Sequence, residues 1–488
     1  MPIRRLPLVF AAALALGAAS TPAAAQPKAE ARIIPGPCRK AVADDRRRCF
    51  KVEVAEDPAH PDGRHIFLDG FVVPALKPGP QKRALFEFGG GPGERMTDDV
   101  GNALEVAKAL PDVDIVHIDQ RGTGETPDIR CLPGTDDASI QSTLIDEWPL
   151  PLIRACVAAL KDKADLTQYT TLNSATDYDL ERQALGYDKI DLMGGSYGTR
   201  MAQAYIHLYP EHVRSAVLMS PVAPEMTMPE GFARHTEMSL QGVIDLCMED
   251  GDCVKAFPDL EGDLARVKAR LAQGPVTATY KGKPVTISPG VVGATFRGLL
   301  YGPESAKDVP LLLHEVANGD YNALAARAVQ YNLGLNAALS QGVYLSIVCN
   351  EDFARNDIGA LHREEAGTLY GSFRTDQLAA ACAIWPHGHD GPELHHLKTW
   401  NGPVLTFVGQ LDPVTPGVYA QRLMTQFPNG RLIRLPNQGH DATEKTYDCT
   451  MPLVFQFIET PDASKLDTRC TETLAFPAFQ LKPDGPQA

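Results

Sequence analysis

Short apolar runs recur along the chain, each bounded by turn residues and separated from the next by a longer stretch, mostly of helical pattern. The runs are ALFEF (84–88), DIVHI (114–118), KIDLM (189–193), SAVLM (215–219), PVLTFV (403–408) and RLIRL (431–435). Near-continuous apolar strands that alternate with helices are typical of a parallel sheet covered on both faces. The segments KVEV (51–54) and HIFLDGFVV (65–73) predict antiparallel strands that precede the parallel strands in the same sheet. We therefore predict an α/β fold with a mostly parallel sheet and helices on both faces.

The interval between the fourth and fifth runs is long enough for a domain of its own. It carries amphipathic patterns such as DLEGDLARVKARLA (259–272), with apolar residues three and four positions apart. The stretch VTATYKGKPVTIS (276–288) predicts one hairpin within it. We predict a mostly helical cap domain at 221–402, inserted between two parts of the core at 26–220 and 403–488.

The first 25 residues have the composition of a secretory signal peptide. Arg4 and Arg5 form a basic start, an alanine-rich apolar centre follows, and small residues end at Ala25. The apolar run is shorter than the roughly 20 residues that a spanning helix needs, and Gly17 and Ser20 interrupt it. We predict cleavage after Ala25, a secreted or periplasmic protein, and no membrane span in the mature chain.

The overall charge argues against nucleic acid or an anionic membrane as the main partner. The formal net charge is −15, and no run rich in lysine and arginine is present. Nucleic acids and anionic membranes both bind preferentially to clustered basic residues. With 44% apolar and 22% charged residues, the composition is that of a globular protein. The sequence does not indicate an oligomeric state.

The chain has ten cysteines, and in an oxidising compartment an even number favours disulfides. Their positions fall into sequential couples, which predict five local bridges: Cys38 with Cys49, Cys131 with Cys156, Cys247 with Cys253, Cys349 with Cys382, and Cys449 with Cys470. The loop CMEDGDC (247–253) is also compatible with a metal site. A second cysteine pair with zinc-finger spacing is missing from the sequence, so the disulfide is favoured.

Ser196 lies between glycines in GGSYG (194–198), directly after an apolar run and directly before a helical pattern. In that context the glycines allow a sharp strand-to-helix turn, and the serine side chain is exposed at the top of the sheet. The motif alone occurs by chance in many chains, whereas its combination with a strand and a helix is much rarer. We predict that Ser196 is a nucleophile.

A serine nucleophile needs a base, and the base needs an acid to orient it. In strand-to-helix architectures of this kind, the acid and then the histidine follow the serine, each on a loop after a late strand. Asp412 follows the PVLTFV run and His440 follows the RLIRL run. A turn aspartate and a surface histidine are the alternative interpretations. With Ser196 upstream in the expected order, we predict a Ser196–His440–Asp412 triad.

The developing oxyanion needs two backbone N–H donors. We predict one from Tyr197, the residue after the nucleophile, and the other from Gly90 in the loop EFGGGPGER (87–95), with Gly91 as its neighbour. A phosphate-binding loop is the rival interpretation, but the glycines are not followed by Lys-Ser/Thr and no Gly-x-Gly-x-x-Gly fits. The chemistry requires no cofactor.

The chain resembles the α/β-hydrolases of serine peptidase family S33, which include proline iminopeptidases and tripeptidyl aminopeptidases. The motifs that carry the resemblance are GGGPG (89–93), DQRGTGET (119–126), GGSYGTR (194–200), LDPVTP (411–416) and GH (439–440). The motifs most similar to the secreted tripeptidyl aminopeptidase branch are YTTLNSATDYDLERQALGYDKIDL (169–192), CNED (349–352) and CAIWP (382–386). Many iminopeptidases have histidine where this chain has Gly89, which loosens the link to proline iminopeptidase itself.

The resemblance implies a cap over the active site, a C-terminal region like that of the tripeptidyl aminopeptidases, and a peptide substrate with a free N-terminus. Acidic residues of the cap would bind the α-amino group, since a buried carboxylate facing an ammonium disfavours blocked termini. Candidates are Glu351 and Asp352 beside Cys349, then Glu225 and Glu230. The alternative is that each is a solvated surface acid.

The stretch WPHGHDGPELHH (385–396) brings four histidines close together: His387, His389, His395 and His396. Such clusters can bind zinc or copper, but this one lacks the helical spacing of a metallopeptidase pair, and we predict no metal site.

From the triad and the family resemblance together, we predict a secreted serine aminopeptidase. The alternatives are a carboxylic ester hydrolase, because the same machinery cleaves esters, and a non-catalytic binding scaffold.

Overall fold

A computed structural model of the protein describes residues 31–483, apart from 44, 125–126, 132–135 and 389–390. The predicted signal peptide at 1–25 lies outside the described residues. Within them, nine strands form a central sheet and two more pair as a hairpin. The strands are β1 (Arg32–Pro35), β2 (Arg48–Ala55), β3 (His65–Val73), β4 (Ala84–Phe88), β5 (Asp114–Ile118), β6 (Ile190–Gly195), β7 (Val213–Met219), β8 (Val276–Tyr280), β9 (Lys283–Ile287), β10 (Val404–Gly409) and β11 (Arg431–Leu435).

The central sheet has the order β1-β2-β3-β5-β4-β6-β7-β10-β11. The pairs β1–β2, β2–β3 and β3–β5 are antiparallel, and all later neighbours are parallel. This confirms the prediction of a mostly parallel sheet whose first strands are antiparallel. The carboxyl ends of β4, β6, β7, β10 and β11 therefore meet at one edge, where open α/β sheets bind ligands.

The helices of the described residues cover both faces of this sheet and fill the insertion. They are α1 (Val100–Ala109), α2 (Asp137–Thr143), α3 (Leu150–Leu160), α4 (Thr171–Ala184), α5 (Tyr197–Leu208), α6 (Phe232–Glu249), α7 (Cys253–Ala256), α8 (Leu260–Leu271), α9 (Pro289–Leu299), α10 (Pro303–Ala306), α11 (Val309–Ala317), α12 (Asn322–Ala338), α13 (Gln341–Ile347), α14 (Ile358–Glu365), α15 (Phe373–Cys382), α16 (Gly417–Leu423) and α17 (Glu444–Glu459).

Successive strand residues point to opposite faces, which explains why the central strands are apolar throughout. Leu85 of β4 packs with α1 and α17 in one buried cluster. Phe86, its neighbour, packs with α4 and α5 in another. All five residues of β4 are consequently buried.

The segment between β7 and β10 is mostly helical, with one antiparallel hairpin of β8 and β9, as predicted. It has a buried cluster of its own, to which Val243, Val267 and Leu313 belong. However, Val343 and Leu345 of α13 pack into the cluster of the core and not into that of the insertion. The division of the chain at 220 and 402 stays a proposal.

Disulfides join all ten cysteines in the five pairs that the sequence predicts. They are Cys38–Cys49, Cys131–Cys156, Cys247–Cys253, Cys349–Cys382 and Cys449–Cys470. The fourth bridge ties the segment after α13 to the end of α15. In the part of the chain that the structure describes, no helix combines the length and the apolar character needed to cross a bilayer.

Candidate active site

Ser196 stands in the sharp turn between β6 and α5. Its backbone has φ 52° and ψ −124°, a conformation that few residues other than glycine adopt, and its N–H donates to the Met219 carbonyl at 2.9 Å. The turn requires glycine at Gly198, because a Cβ there would lie 2.2 Å from the Phe88 carbonyl oxygen. The turn thus places Ser196 at the carboxyl edge of the sheet.

Asp412 lies just beyond β10, in a loop that binds both of its oxygens. Oδ1 accepts the backbone N–H groups of Val414 and Thr415 at 2.7 and 2.8 Å. Oδ2 accepts the Thr415 hydroxyl at 2.8 Å and His440 Nδ1 at 2.9 Å. Burial alone would raise the pKa of Asp412, but His440 and these hydrogen bonds lower it to about 2. The carboxylate is therefore ionised at neutral pH.

His440 lies beyond β11, and its side chain is 6% exposed. Burial disfavours the imidazolium, but the charge and hydrogen bond of Asp412 outweigh it and raise the pKa of His440. The Ser220 hydroxyl donates to the His440 carbonyl at 3.0 Å, and the Tyr301 ring of the insertion meets the imidazole edge-on at 5.4 Å between centroids. Because Nδ1 donates to Asp412, Nε2 is left to accept a proton.

Ser196 and His440 line one cavity of about 310 Å³ at the carboxyl edge of the sheet, and Gly90 lines it with them. Within the described residues no hydrogen bond joins the Ser196 hydroxyl to the imidazole, whose bonds run to Asp412 and Thr415. Catalytic hydrogen bonds are commonly long in a free enzyme and tighten in the substrate complex. The structure thus brings the predicted nucleophile and base to one cavity.

The two predicted oxyanion donors also flank Ser196. A Cβ on Gly90 would lie 3.6 Å from Ser196 Cβ, so the glycine backbone passes close to the nucleophile. The Tyr197 N–H begins α5 and has no backbone acceptor among the described residues. The Gly90 N–H, in contrast, donates to Glu94 Oε2 at 2.6 Å. One donor is open, and a carboxylate of the protein occupies the other.

Comparison with known proteins gives two family matches: the alpha/beta hydrolase fold over residues 88–301 and the TAP-like protein family over residues 367–470. The chain is 26% identical over 461 residues to a tripeptidyl aminopeptidase of Streptomyces lividans, covering 87% of this chain and 83% of the relative. It is 28% identical over 447 residues to the serine protease Hip1 of Mycobacterium bovis, covering 82% and 83%. This protein is an S33-like α/β-hydrolase.

A proline iminopeptidase structure from Mycobacterium smegmatis covers 82% of the hydrolase and 96% of its own chain, at 14% identity and a TM-score of 0.42. The assignment as a serine hydrolase rests on the two family matches and the curated relatives.

The Glu94 contact leads to a prediction about the hydrolase. We expect Glu94→Gln to raise kcat/KM for p-nitrophenyl acetate about fivefold, because a charge-assisted hydrogen bond to Gly90 is about 1 kcal/mol stronger than a neutral one. A weaker internal acceptor competes less with the oxyanion. Steady-state kinetics measure the effect. Glu105→Gln is the matched control, since Glu105 is an exposed acid of α1 paired with Lys108. An unchanged or lower kcat/KM would contradict the prediction.

The acids predicted to bind the substrate amino group have protein partners in the hydrolase. Glu351 is buried and accepts both the N–H and the hydroxyl of Thr171 at 2.6 Å. Burial raises the pKa of Glu351 to about 7. Asp352 is buried and pairs with Arg200 at 2.8 Å. Neither lines a cavity described with Ser196, so their carboxylates brace the contact between core and insertion.

Glu225 and Glu230 follow β7, and the structure separates them. Glu225 is exposed, with Arg422 at 3.9 Å. Glu230 lines a second, smaller cavity together with Ser196, and its Oε2 accepts the Thr227 hydroxyl at 2.9 Å. Of the four acids, Glu230 is the one that shares a cavity with the nucleophile, and the role predicted for Glu351, Asp352 and Glu225 is reassigned to it below.

Histidines of the stretch 385–396 form hydrogen bonds to backbone carbonyl groups of the hydrolase. His387 bonds the Cys382 carbonyl at 2.8 Å, and His395 bonds the carbonyls of Pro224 and Glu351 at 2.8 and 3.1 Å. His389 lies outside the described residues. Among the residues that are described, no group of three or more histidine, cysteine or acidic side chains is arranged to hold a metal ion.

Proposed function

We propose that this hydrolase is a secreted serine aminopeptidase that removes single residues or short peptides from peptide N-termini. The observation that carries the proposal is that His440, whose Nδ1 lies 2.9 Å from the Asp412 carboxylate, lines one cavity with Ser196. Two relatives named as a tripeptidyl aminopeptidase and a serine protease support a peptide as the substrate. The five disulfides are compatible with export after cleavage at Ala25.

The proposed reaction proceeds through an acyl-enzyme. Ser196 attacks the scissile carbonyl while His440 Nε2 takes the hydroxyl proton, and Asp412 holds the imidazole in the required tautomer. The N–H groups of Tyr197 and Gly90 stabilise the oxyanion once Glu94 leaves Gly90. His440 then protonates the leaving amine, and water hydrolyses the acyl-enzyme with His440 again as base.

Glu230 is the proposed receptor for the free α-amino group. It lies in the smaller cavity, so a peptide bound to Ser196 has a carboxylate within the same space. Arg200 lines that cavity too, but it is paired with Asp352, and Glu230 forms no ion pair within the part of the chain that the structure describes. An N-acetylated substrate would carry no charge to match Glu230, which accounts for selectivity toward free termini.

A panel of aminoacyl and tripeptidyl anilides, each free and N-acetylated, tests this function, with p-nitrophenyl esters beside it. We expect free anilides to be cleaved about fivefold faster than acetylated ones, because Glu230 is exposed and an ion pair with an exposed carboxylate is worth up to about 1 kcal/mol. Glu230→Gln should bring the ratio close to one, because the glutamine no longer pairs with the α-ammonium group. Glu225→Gln is the control, since Glu225 is exposed like Glu230 but lies outside the cavity. Equal cleavage of free and acetylated anilides would reject an aminopeptidase, and cleavage of esters alone would indicate an ester hydrolase.

A further inference from the structure

Four carboxylates line the larger cavity beside Ser196 and His440. They are Glu87, Glu94, Asp99 and Asp441. No lysine or arginine lines this cavity in the described part of the chain. Several carboxylates next to the nucleophile favour a positively charged part of the substrate.

Only part of this negative charge is compensated within the protein. Glu87 pairs with the buried His117; burial disfavours the imidazolium of His117, but the Glu87 carboxylate outweighs it and raises the His117 pKa. Glu94, Asp99 and Asp441 make no ion pair with lysine or arginine among the described residues. Burial raises the pKa of Asp441, and the charge of the adjacent His440 only partly opposes this; Glu94 and Asp99 are therefore the clearest negative charges of the cavity.

An independent observation comes from Glu87, which is 3% exposed. Its Oε2 accepts Asn102 at 3.3 Å and binds His117, whereas its Oε1 has no hydrogen-bond partner. A buried acceptor without a donor is costly. Glu87 belongs to the cavity wall, so the wall contains a buried carboxylate oxygen whose hydrogen-bonding capacity is not used by the described residues.

The rest of the wall suits the stem of a long basic side chain. Phe88, Met96, Met193, Phe407 and Leu435 line the cavity beside the carboxylates. Lysine and arginine place methylene groups on apolar surface and their charged heads on polar groups. The volume of about 310 Å³ lies at the lower end of the range for small-ligand sites, roughly 300 to 1,000 Å³. A metal ion fits less well, since no group of acids in the described residues is arranged to hold one.

We propose that this cavity binds the basic side chain of a substrate residue that flanks the scissile bond, so that the hydrolase favours lysine or arginine at that position. The inference rests on the proposed peptidase function and names a substrate class for it. The aliphatic stem lies along the methionines and phenylalanines, and the cationic head pairs with Asp99 and its neighbouring carboxylates.

The test uses inhibition of p-nitrophenyl acetate hydrolysis by benzylguanidine and by benzylurea, its neutral analogue of similar shape. We expect the guanidine to bind at least about tenfold more tightly, as a charge-assisted contact exceeds a neutral one by about 1.4 kcal/mol. Asp99→Asn should reduce that advantage about threefold, the size of one partly exposed ion pair. Asp98→Asn should leave it unchanged, because Asp98 pairs with Lys40 at 3.0 Å and does not line the cavity.

Equal inhibition by guanidine and urea would overturn the inference, and so would an advantage that Asp99→Asn leaves intact. Alaninamide tests whether the cavity instead binds the α-amino group of the substrate. If alaninamide inhibits as strongly as benzylguanidine, and its inhibition depends equally on Asp99, the cavity binds the α-amino group and the inference is wrong. The ester assay needs no peptide cleavage, so this outcome is separate from that of the acetylation panel. Peptides with arginine or citrulline before and after the scissile bond then locate the position.

Discussion

Ser196→Ala is expected to lower kcat by about a million-fold, the size of effect seen when a triad serine is removed. The alanine leaves the Asp412–His440 pair in place but removes the oxygen that forms the acyl-enzyme. Anilide and ester hydrolysis should fall together, because both depend on that oxygen. The thermal unfolding midpoint should stay within a few degrees of wild type, since the change removes a single oxygen atom from a partly exposed side chain. Activity that survives in a folded Ser196→Ala protein would contradict the assignment.

Asp412→Asn is expected to lower kcat by about 10,000-fold, because the asparagine no longer holds the correct imidazole tautomer. It should also move the pH profile. In the wild type Asp412 outweighs burial and raises the His440 pKa, so kcat/KM should rise with pH along a limb whose midpoint lies above the ordinary value of 6.5. Without the charge of Asp412, burial dominates and the midpoint should shift to lower pH.

Profiles of kcat/KM from pH 4 to pH 9 measure this shift. Asp448→Asn is the matched control, because Asp448 is an exposed residue of α17 that does not line the cavity. Its profile should coincide with that of the wild type. An unchanged midpoint in Asp412→Asn would mean that this carboxylate does not set the pKa of the catalytic base.

The sheet could be predicted because its pattern is local. The six apolar runs coincide with β4, β5, β6, β7, β10 and β11 to within about two residues, since buried parallel strands need apolar residues on both faces. The sites after β6, β10 and β11 follow from the same pattern: parallel strands end at one edge, so Ser196, Asp412 and His440 were expected to converge there. The cysteine pairs were also local in the sequence.

The roles of the acidic residues could not be predicted, because they depend on contacts between segments that are distant in the sequence. Glu351 was expected to face substrate, yet it binds Thr171, a partner 180 positions away in the chain. Nothing near Glu351 in the sequence signals that partner. The residue that does reach the cavity, Glu230, differs from Glu225 only in where the insertion places it.

Two residues that contact the reactive groups were not predicted, although each lies only three or four positions from its partner in the sequence. Thr415 bonds both Asp412 and His440, and a hydroxyl three positions after an aspartate is a common turn partner. Glu94 lies four positions after Gly90 and reaches back to its N–H. An acid so close to a glycine-rich loop could have been singled out, but its direction depends on the path of the loop.

The most direct test of the central claim, that Ser196 is activated by His440, is covalent labelling with a fluorophosphonate followed by mass mapping of the adduct. We predict a single adduct on Ser196 and a labelling rate at least about 1,000-fold lower in His440→Ala, because the hydroxyl then lacks its base. An adduct on another residue, or equal labelling rates of wild type and His440→Ala, would contradict the account.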